Sequence, residues 1–173
     1  MKKGLILLFT GNGKGKTTAA LGLALRAMGH HFKICMIQFI KGSWHCGELE
    51  ALKRFEDLME IHVMGRGFTW KSDDFNKDKQ AAQTAWQFAK QMITSEKYQI
   101  IILDELTHII KLKMIDEKEI VDALCAKPKD LHVIITGRDA SELLVDAADL
   151  VTEMQAVKHP FKAGIKAQKG IEF

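Results

Sequence analysis

The stretch Thr10–Thr18, TGNGKGKTT, gathers the residue types that grip a polyphosphate. Gly11, Gly13 and Gly15 permit a tight turn whose backbone N–H groups can face oxygens. A helix beginning at Lys16 adds the partial positive charge of its N-terminus, and Lys16 brings a full one. The Thr17 hydroxyl suits Mg²⁺, and Asn12, Lys14 and Thr18 complete the loop. Thr10 stands where the strict Gly-x-x-x-x-Gly-Lys-[Ser/Thr] pattern has its first glycine. A second pair, Asp104 and Glu105, ends the apolar run YQIIILDE. Carboxylates beside bound phosphate hold Mg²⁺ directly or through water, and spacing does not fix which of the two touches the metal. His108 follows closely, but a lone histidine does not define a metal site and reads as structural or peripheral.

These groups need elements to bring them together. Gly4–Phe9 predicts a first strand and Lys16–Met28 the helix leaving the loop. Lys33–Phe39 predicts a second strand, with a helix near Gly47–Phe55 and a short strand at Glu60–Met64. Ala81, Ala82, Ala85, Trp86, Ala89, Met92 and Ile93 recur at helical spacing and predict a helix over Asp74–Thr94, with Trp86 in the core. Tyr98–Glu105 suits a central parallel strand covered on both faces. A helix over Glu117–Cys125 starts with Asp116 and Glu119 at capping-box spacing. A strand follows at Leu131–Gly137, then a helix for which Asp139 and Glu142 repeat that spacing, then a last strand at Leu150–Met154. The expected fold is α/β: one domain over residues 1–173, a mainly parallel sheet with helices on both faces, P-loop NTPase-like and RecA-like. In such a sheet the loop, the carboxylate pair and the TGRD turn after the fifth strand share the carboxyl edge.

Composition narrows the classes. The chain has 173 residues, 47% hydrophobic, enough for a core without staples. The three scattered cysteines, Cys35, Cys46 and Cys125, form no CxxC pair and fit a reducing cytoplasm, with Cys35 in a strand core. A net charge of +3 gives no case for nucleic acid. No apolar run approaches a membrane span. MKKGLILLF resembles a signal peptide only superficially, since the phosphate loop follows at once, and it reads as the first core strand.

Beyond the loop, QFIKGSWHCGE (Gln38–Glu48), GRGFTW (Gly65–Trp70), ILDELT and the closing VKHPFKAGIKAQKGIEF lie in order along nearly the whole chain. Together with TGNGKGKTTAA they resemble the P-loop class of ATP:corrinoid adenosyltransferases, also called cob(I)yrinic acid a,c-diamide or cob(I)alamin adenosyltransferases. The resemblance implies that Co(I) of a reduced corrinoid attacks the 5′ carbon of ATP and triphosphate leaves. ATP would then lie on Gly11 to Thr18, reversed along the loop relative to kinases, with Mg²⁺ on Thr17 and the Asp104–Glu105 pair. No protein nucleophile is required; Lys16 would stabilise charge on the leaving triphosphate. Phe68 and Trp70 match aromatic residues that displace the lower axial ligand of cobalt, although aromatic pairs serve equally in packing. Lys41 and Trp44 share the sheet edge and could meet the corrinoid, as could Arg138, Lys158 and the tail of about residues 156–173; solvated surface charge accounts for such lysines equally well. A homodimer and a flavoprotein or reduced-flavin electron donor also follow from the resemblance. The first strand is expected to begin almost at Met1, whereas some relatives carry an N-terminal arm before the phosphate loop, so a lid function of such an arm is not expected to carry over.

Two rival readings use the same loop. A kinase or hydrolase needs a positioned acceptor and a cation for the transition state, which Arg138 could supply. A nucleotide-controlled binding module needs segments that sense the terminal phosphate.

Overall fold

Short runs of branched apolar residues become the strands: β1 (Ile6–Thr10), β2 (Ile34–Gln38), β3 (Met59–Val63), β4 (Ile100–Asp104), β5 (His132–Thr136) and β6 (Leu150–Glu153). In the computed structural model, which describes residues 3–42, 46–67 and 74–172, they form one sheet in the order β3-β2-β4-β5-β1-β6. Every neighbouring pair is parallel. Trp44, Phe68 and Trp70 lie outside the described residues.

Strand alternation divides the core between two faces. Ile6, Leu8, Cys35, Ile37, Ile101, Leu103, Val133 and Ile135 pack under α3 (Phe75–Thr94), α4 (Leu106–Lys111), α5 (Glu117–Cys125) and α6 (Glu142–Ala147). Phe9, Ile34, Met36, Ile100, Ile102 and Ile134 face Ala20, Ala24, Ala27 and Met28 of α1 (Lys16–Met28). The alanine stripe lets α1 lie close on the sheet, which fixes the helix that carries Lys16 and Thr17. Burial on both faces explains why β2 and β4 are apolar without alternation. Trp86 of α3 is 1% exposed and its indole N–H donates to Glu119.

Several boundaries differ from the sequence expectation. Asp74 caps α3 rather than joining it, accepting from the N–H groups of Asn76 and Lys77. The second helix is α2 (Gly47–Leu52), tightening to a 3-10 turn at Lys53–Phe55. Asp116 caps α5, but Glu119 does not complete a capping box, because Trp86 and Lys90 occupy its carboxylate. The cap of α6 is Ser141, which accepts from Leu144 N–H, not Asp139. Helix α4 was not anticipated. Among the described residues of the tail, the helical element is a 3-10 turn, Pro160–Ala163.

The sheet order matters for the site. β5 lies between β1 and β4, so the phosphate loop and the carboxylate pair belong to strands that are not adjacent. Anything joining them must pass over the end of β5.

Candidate active site

The chain leaves β1 at Thr10 and bends at Gly11, whose φ of 93° is in the left-handed region that favours glycine. Thr10 is therefore still strand. Its carbonyl accepts from Met154 N–H at 2.9 Å, and its hydroxyl accepts from Ala140 N–H at 3.3 Å. The first glycine of the strict pattern is dispensable here because the bend falls one residue later. Gly13 departs from expectation in another way. Its N–H donates to the Met154 carbonyl at 2.6 Å, so this amide serves to shape the loop.

Lys16 begins α1 and is 6% exposed. Its ammonium donates to the carbonyls of Gly11 and Gly13, each at 2.8 Å. Burial pulls its pKa below the ordinary lysine range; Glu105 opposes that shift and Arg138 adds to it. A charge held only by backbone carbonyls in a desolvated loop is arranged to meet an anion.

Thr17 turns toward the other carboxyl end. Its hydroxyl donates to Asp104 Oδ1 at 2.8 Å, which leaves the oxygen lone pairs of Thr17 available to a cation. Thr136, at the end of β5, donates to the same Oδ1 at 2.8 Å. It also accepts from Glu105 N–H at 2.9 Å. The Thr17–Asp104 bond thus crosses the end of β5, and Thr136 braces the carboxylate pair from that intervening strand. Asp104 is 1% exposed and sits behind Thr17, whereas Glu105 lines the open cavity. Glu105 holds a left-handed φ of 61° at the start of α4, a strained geometry of the kind that clusters at functional sites. Burial, then the charge of Asp104, raises its pKa above the usual carboxylate range.

The cavity over the loop measures about 510 Å³. Gly13 to Thr18, Lys41, Gly47, Glu48, Glu105, Arg138, His159 and Gly170–Glu172 line it. Lys41 pairs with Glu48; burial opposes its charge, but that hydrogen bond and ion pair outweigh burial and raise its pKa. Lys14 pairs with Glu172 of the tail at 3.3 Å. A larger cavity of about 920 Å³ lies on the α3–α6 face. The smaller one is the candidate site, since it contains the phosphate loop and its cations.

Residues 2–173 match the family described as ATP:corrinoid adenosyltransferase BtuR/CobO/CobP. The chain belongs to this family. It is 43% identical over 172 residues to the corrinoid adenosyltransferase of Pseudomonas aeruginosa, covering 99% of this chain and 85% of that one. With the corrinoid adenosyltransferase of Escherichia coli K12 it shares 44% over 172 residues, covering 99% and 87%. With the corrinoid adenosyltransferase CobA of Salmonella typhimurium the identity is 43% over the same shares. Solved structures of similar shape include the flagellar accessory protein FlaH of Methanocaldococcus jannaschii, with a TM-score of 0.58, 9% identity and coverage of 88% and 72%. The RadB recombinase gives a TM-score of 0.54 at 14% identity, covering 89% and 76%. These two support the RecA-like, P-loop NTPase-like α/β fold. Membership makes the chain a corrinoid adenosyltransferase, and the family implies ATP and a corrinoid as its substrates.

Against the sequence expectations, the fold brings Gly13 to Thr18, Lys41, Glu105 and Arg138 to one cavity, with Asp104 directly behind it. The corrinoid candidates Phe68, Trp70 and Trp44 fall outside the described residues. Sequence reasoning missed Gln38, Glu48 and Thr136. Gln38 and Thr136 are polar residues closing apolar strands, as Asp104 is, but only the sheet register shows that the three meet. No described helix is long and apolar enough to cross a membrane.

Proposed function

We propose that the chain transfers the 5′-deoxyadenosyl group of ATP to the Co(I) of a reduced corrinoid and releases triphosphate, in cobalamin biosynthesis or salvage. The observation that carries this reading is the convergence in one cavity of the phosphate loop, Lys41 and Glu48 after β2, and the tail. These are segments whose resemblance to the family is specific, not merely a phosphate-gripping turn.

In the reaction, the cobalt electron pair forms the cobalt–carbon bond as the bond from the 5′ carbon to its oxygen breaks. Electrons pass to the triphosphate, and cobalt goes formally from Co(I) to Co(III). The nucleophile comes with the substrate, so the protein's task is alignment and charge stabilisation. Lys16 and the free loop amides hold the leaving triphosphate, with Lys14 at its edge. The hard oxygens of Thr17, Asp104 and Glu105 fit Mg²⁺ and would hold it, Thr17 as a ligand and the carboxylates directly or through water. When bound, that ion neutralises charge on the phosphate oxygens. Phe68 and Trp70 exclude the lower axial ligand, Trp44 and Lys41 contact the corrinoid, and residues of about 156–173 contribute to its binding. A homodimer, reduction by a flavoprotein or reduced flavin, and a cytoplasmic setting complete the reading.

Product analysis tests it. Incubation with ATP, Mg²⁺ and chemically generated cob(I)alamin should yield adenosylcobalamin and triphosphate in equal amounts. Diphosphate in place of triphosphate would make the protein a phosphoryl-transfer enzyme, and binding without turnover would make it a switch.

A further inference from the structure

Gln38 closes β2 beside Asp104, its register partner on β4. The residue is 1% exposed. Its side-chain amide is half satisfied: Nε2 donates to Asp104 Oδ2 at 3.3 Å, while Oε1 is buried without a hydrogen-bond partner among the described residues. Turning the amide over would set its oxygen against a carboxylate oxygen, so the orientation follows from the chemistry. The backbone is pinned as well, since the Gln38 carbonyl accepts from the N–H groups of Met64 and Gly65 at 3.0 and 3.1 Å. Gln38 therefore has little freedom to seek another partner.

A buried carbonyl oxygen without a donor is costly, and an apolar side chain of similar volume would avoid that cost. The amide makes sense where a donor arrives with a ligand. Asp104 shows which ligand. Its Oδ1 accepts from the Thr17 hydroxyl and its Oδ2 from Gln38, so one residue, Asp104, joins Gln38 to the side proposed for the divalent ion. A water in the coordination shell of such an ion is a strong donor. A neutral amide can accept from it and still donate to Asp104, which a second carboxylate could not do.

We propose that Gln38 is a positioning residue of the nucleotide–metal site, orienting Asp104 through Nε2 and accepting through Oε1 from a water that enters with the divalent ion. This rests on the reading of Thr17 and Asp104 as the Mg²⁺ side of the cavity. It assigns Gln38 a role in metal affinity, not in contact with the reacting atoms.

The test uses the full chain with ATP alone, so that no corrinoid consumes the nucleotide. Calorimetry gives ATP affinity in Mg²⁺ and in EDTA, and thermal melting is followed without ligand. Gln38→Met should bind ATP in EDTA within about twofold of wild type and lose about tenfold of the Mg²⁺-dependent tightening. Its ligand-free melting temperature should fall by no more than a few degrees, because losing the Nε2 bond to Asp104 is partly offset by losing the orphaned oxygen. Gln38→Leu repeats the test with a branched side chain, should Gln38→Met fold poorly. If Thr17→Ala loses the Mg²⁺-dependent tightening while both Gln38 variants keep it, the proposal falls and the metal site stands. If wild-type affinity ignores Mg²⁺, both fall. Equal weakening in Mg²⁺ and in EDTA would make Gln38 a core residue only.

Discussion

Two cavities on this molecule are built from similar residue types to different ends. The larger, about 920 Å³, lies among α3, α4, α5 and the start of α6. Several of its charged groups answer one another: Lys111 pairs with Asp139 at 2.6 Å, and Glu117 accepts from the Ser141 hydroxyl. Glu119 takes the Lys90 ammonium at 2.7 Å and the Trp86 N–H at 2.9 Å. The smaller, about 510 Å³, keeps Lys16 on backbone carbonyls. Among the described residues, Glu105 and Arg138 there have no side-chain hydrogen bond or ion pair. Volume reflects how helices pack on a sheet. Function is marked instead by charges that the fold has gathered and left for a ligand to match.

The comparison breaks first at Lys16. Lys16→Ala should cut adenosyl transfer by about 10²–10³-fold and weaken MgATP binding, since developing charge on the leaving group loses its main cation. Lys111→Ala, in the larger cavity, should leave both within about twofold. Steady-state kinetics and calorimetry on the two variants decide the matter, and equal losses would erase the distinction. Next comes Asp104→Asn. It alters a group behind the cavity that acts on Thr17, so the Mg²⁺ needed for half-maximal rate should rise by about 10–100-fold, read from a metal titration.

Smaller effects should separate stability from activity. Glu119 is held below the usual carboxylate range by its hydrogen bonds from Lys90 and then Trp86. A lowered folded pKa means stability present above the unfolded value and lost as pH falls through the folded one. Glu119→Gln should therefore lower the melting temperature by about 1–2 °C at neutral pH, with the difference shrinking as pH falls below the ordinary carboxylate range and turnover unchanged. The smallest change is expected at the tail. Glu172→Gln breaks an exposed pair with Lys14 and should shift the KM for ATP by no more than about twofold.

Much of this architecture was legible beforehand because it depends on local pattern. The apolar runs at β2, β4 and β5, the alanine stripes of α1 and α3, and the glycine spacing of the loop each announce their element. What escaped depends on distant partners. Helix α4 begins from a left-handed Glu105 without a side-chain cap, so no start signal precedes it. Asp139 looked like the cap of α6, yet it is engaged by Lys111, and Ser141 takes the role. Gln38 and Thr136 became part of the site only once the register of β2, β4 and β5 set them around Asp104. The same holds for Gly13, whose amide looks free for phosphate in the sequence but donates to Met154, just past β6.

That last contact has a consequence for how the protein is made. The phosphate loop is complete within the first eighteen residues, but a Cβ at Gly11 or Gly13 would lie 2.5 or 2.7 Å from the carbonyl of Met154, near the other end of the chain. The two surfaces are moulded to each other. During synthesis the loop emerges from the ribosome long before the residue that gives it shape, and β1 reaches it without its neighbours β5 and β6. A nascent chain thus carries the nucleotide motif as sequence for most of its assembly, and the motif becomes a receptor only when the edge strand arrives.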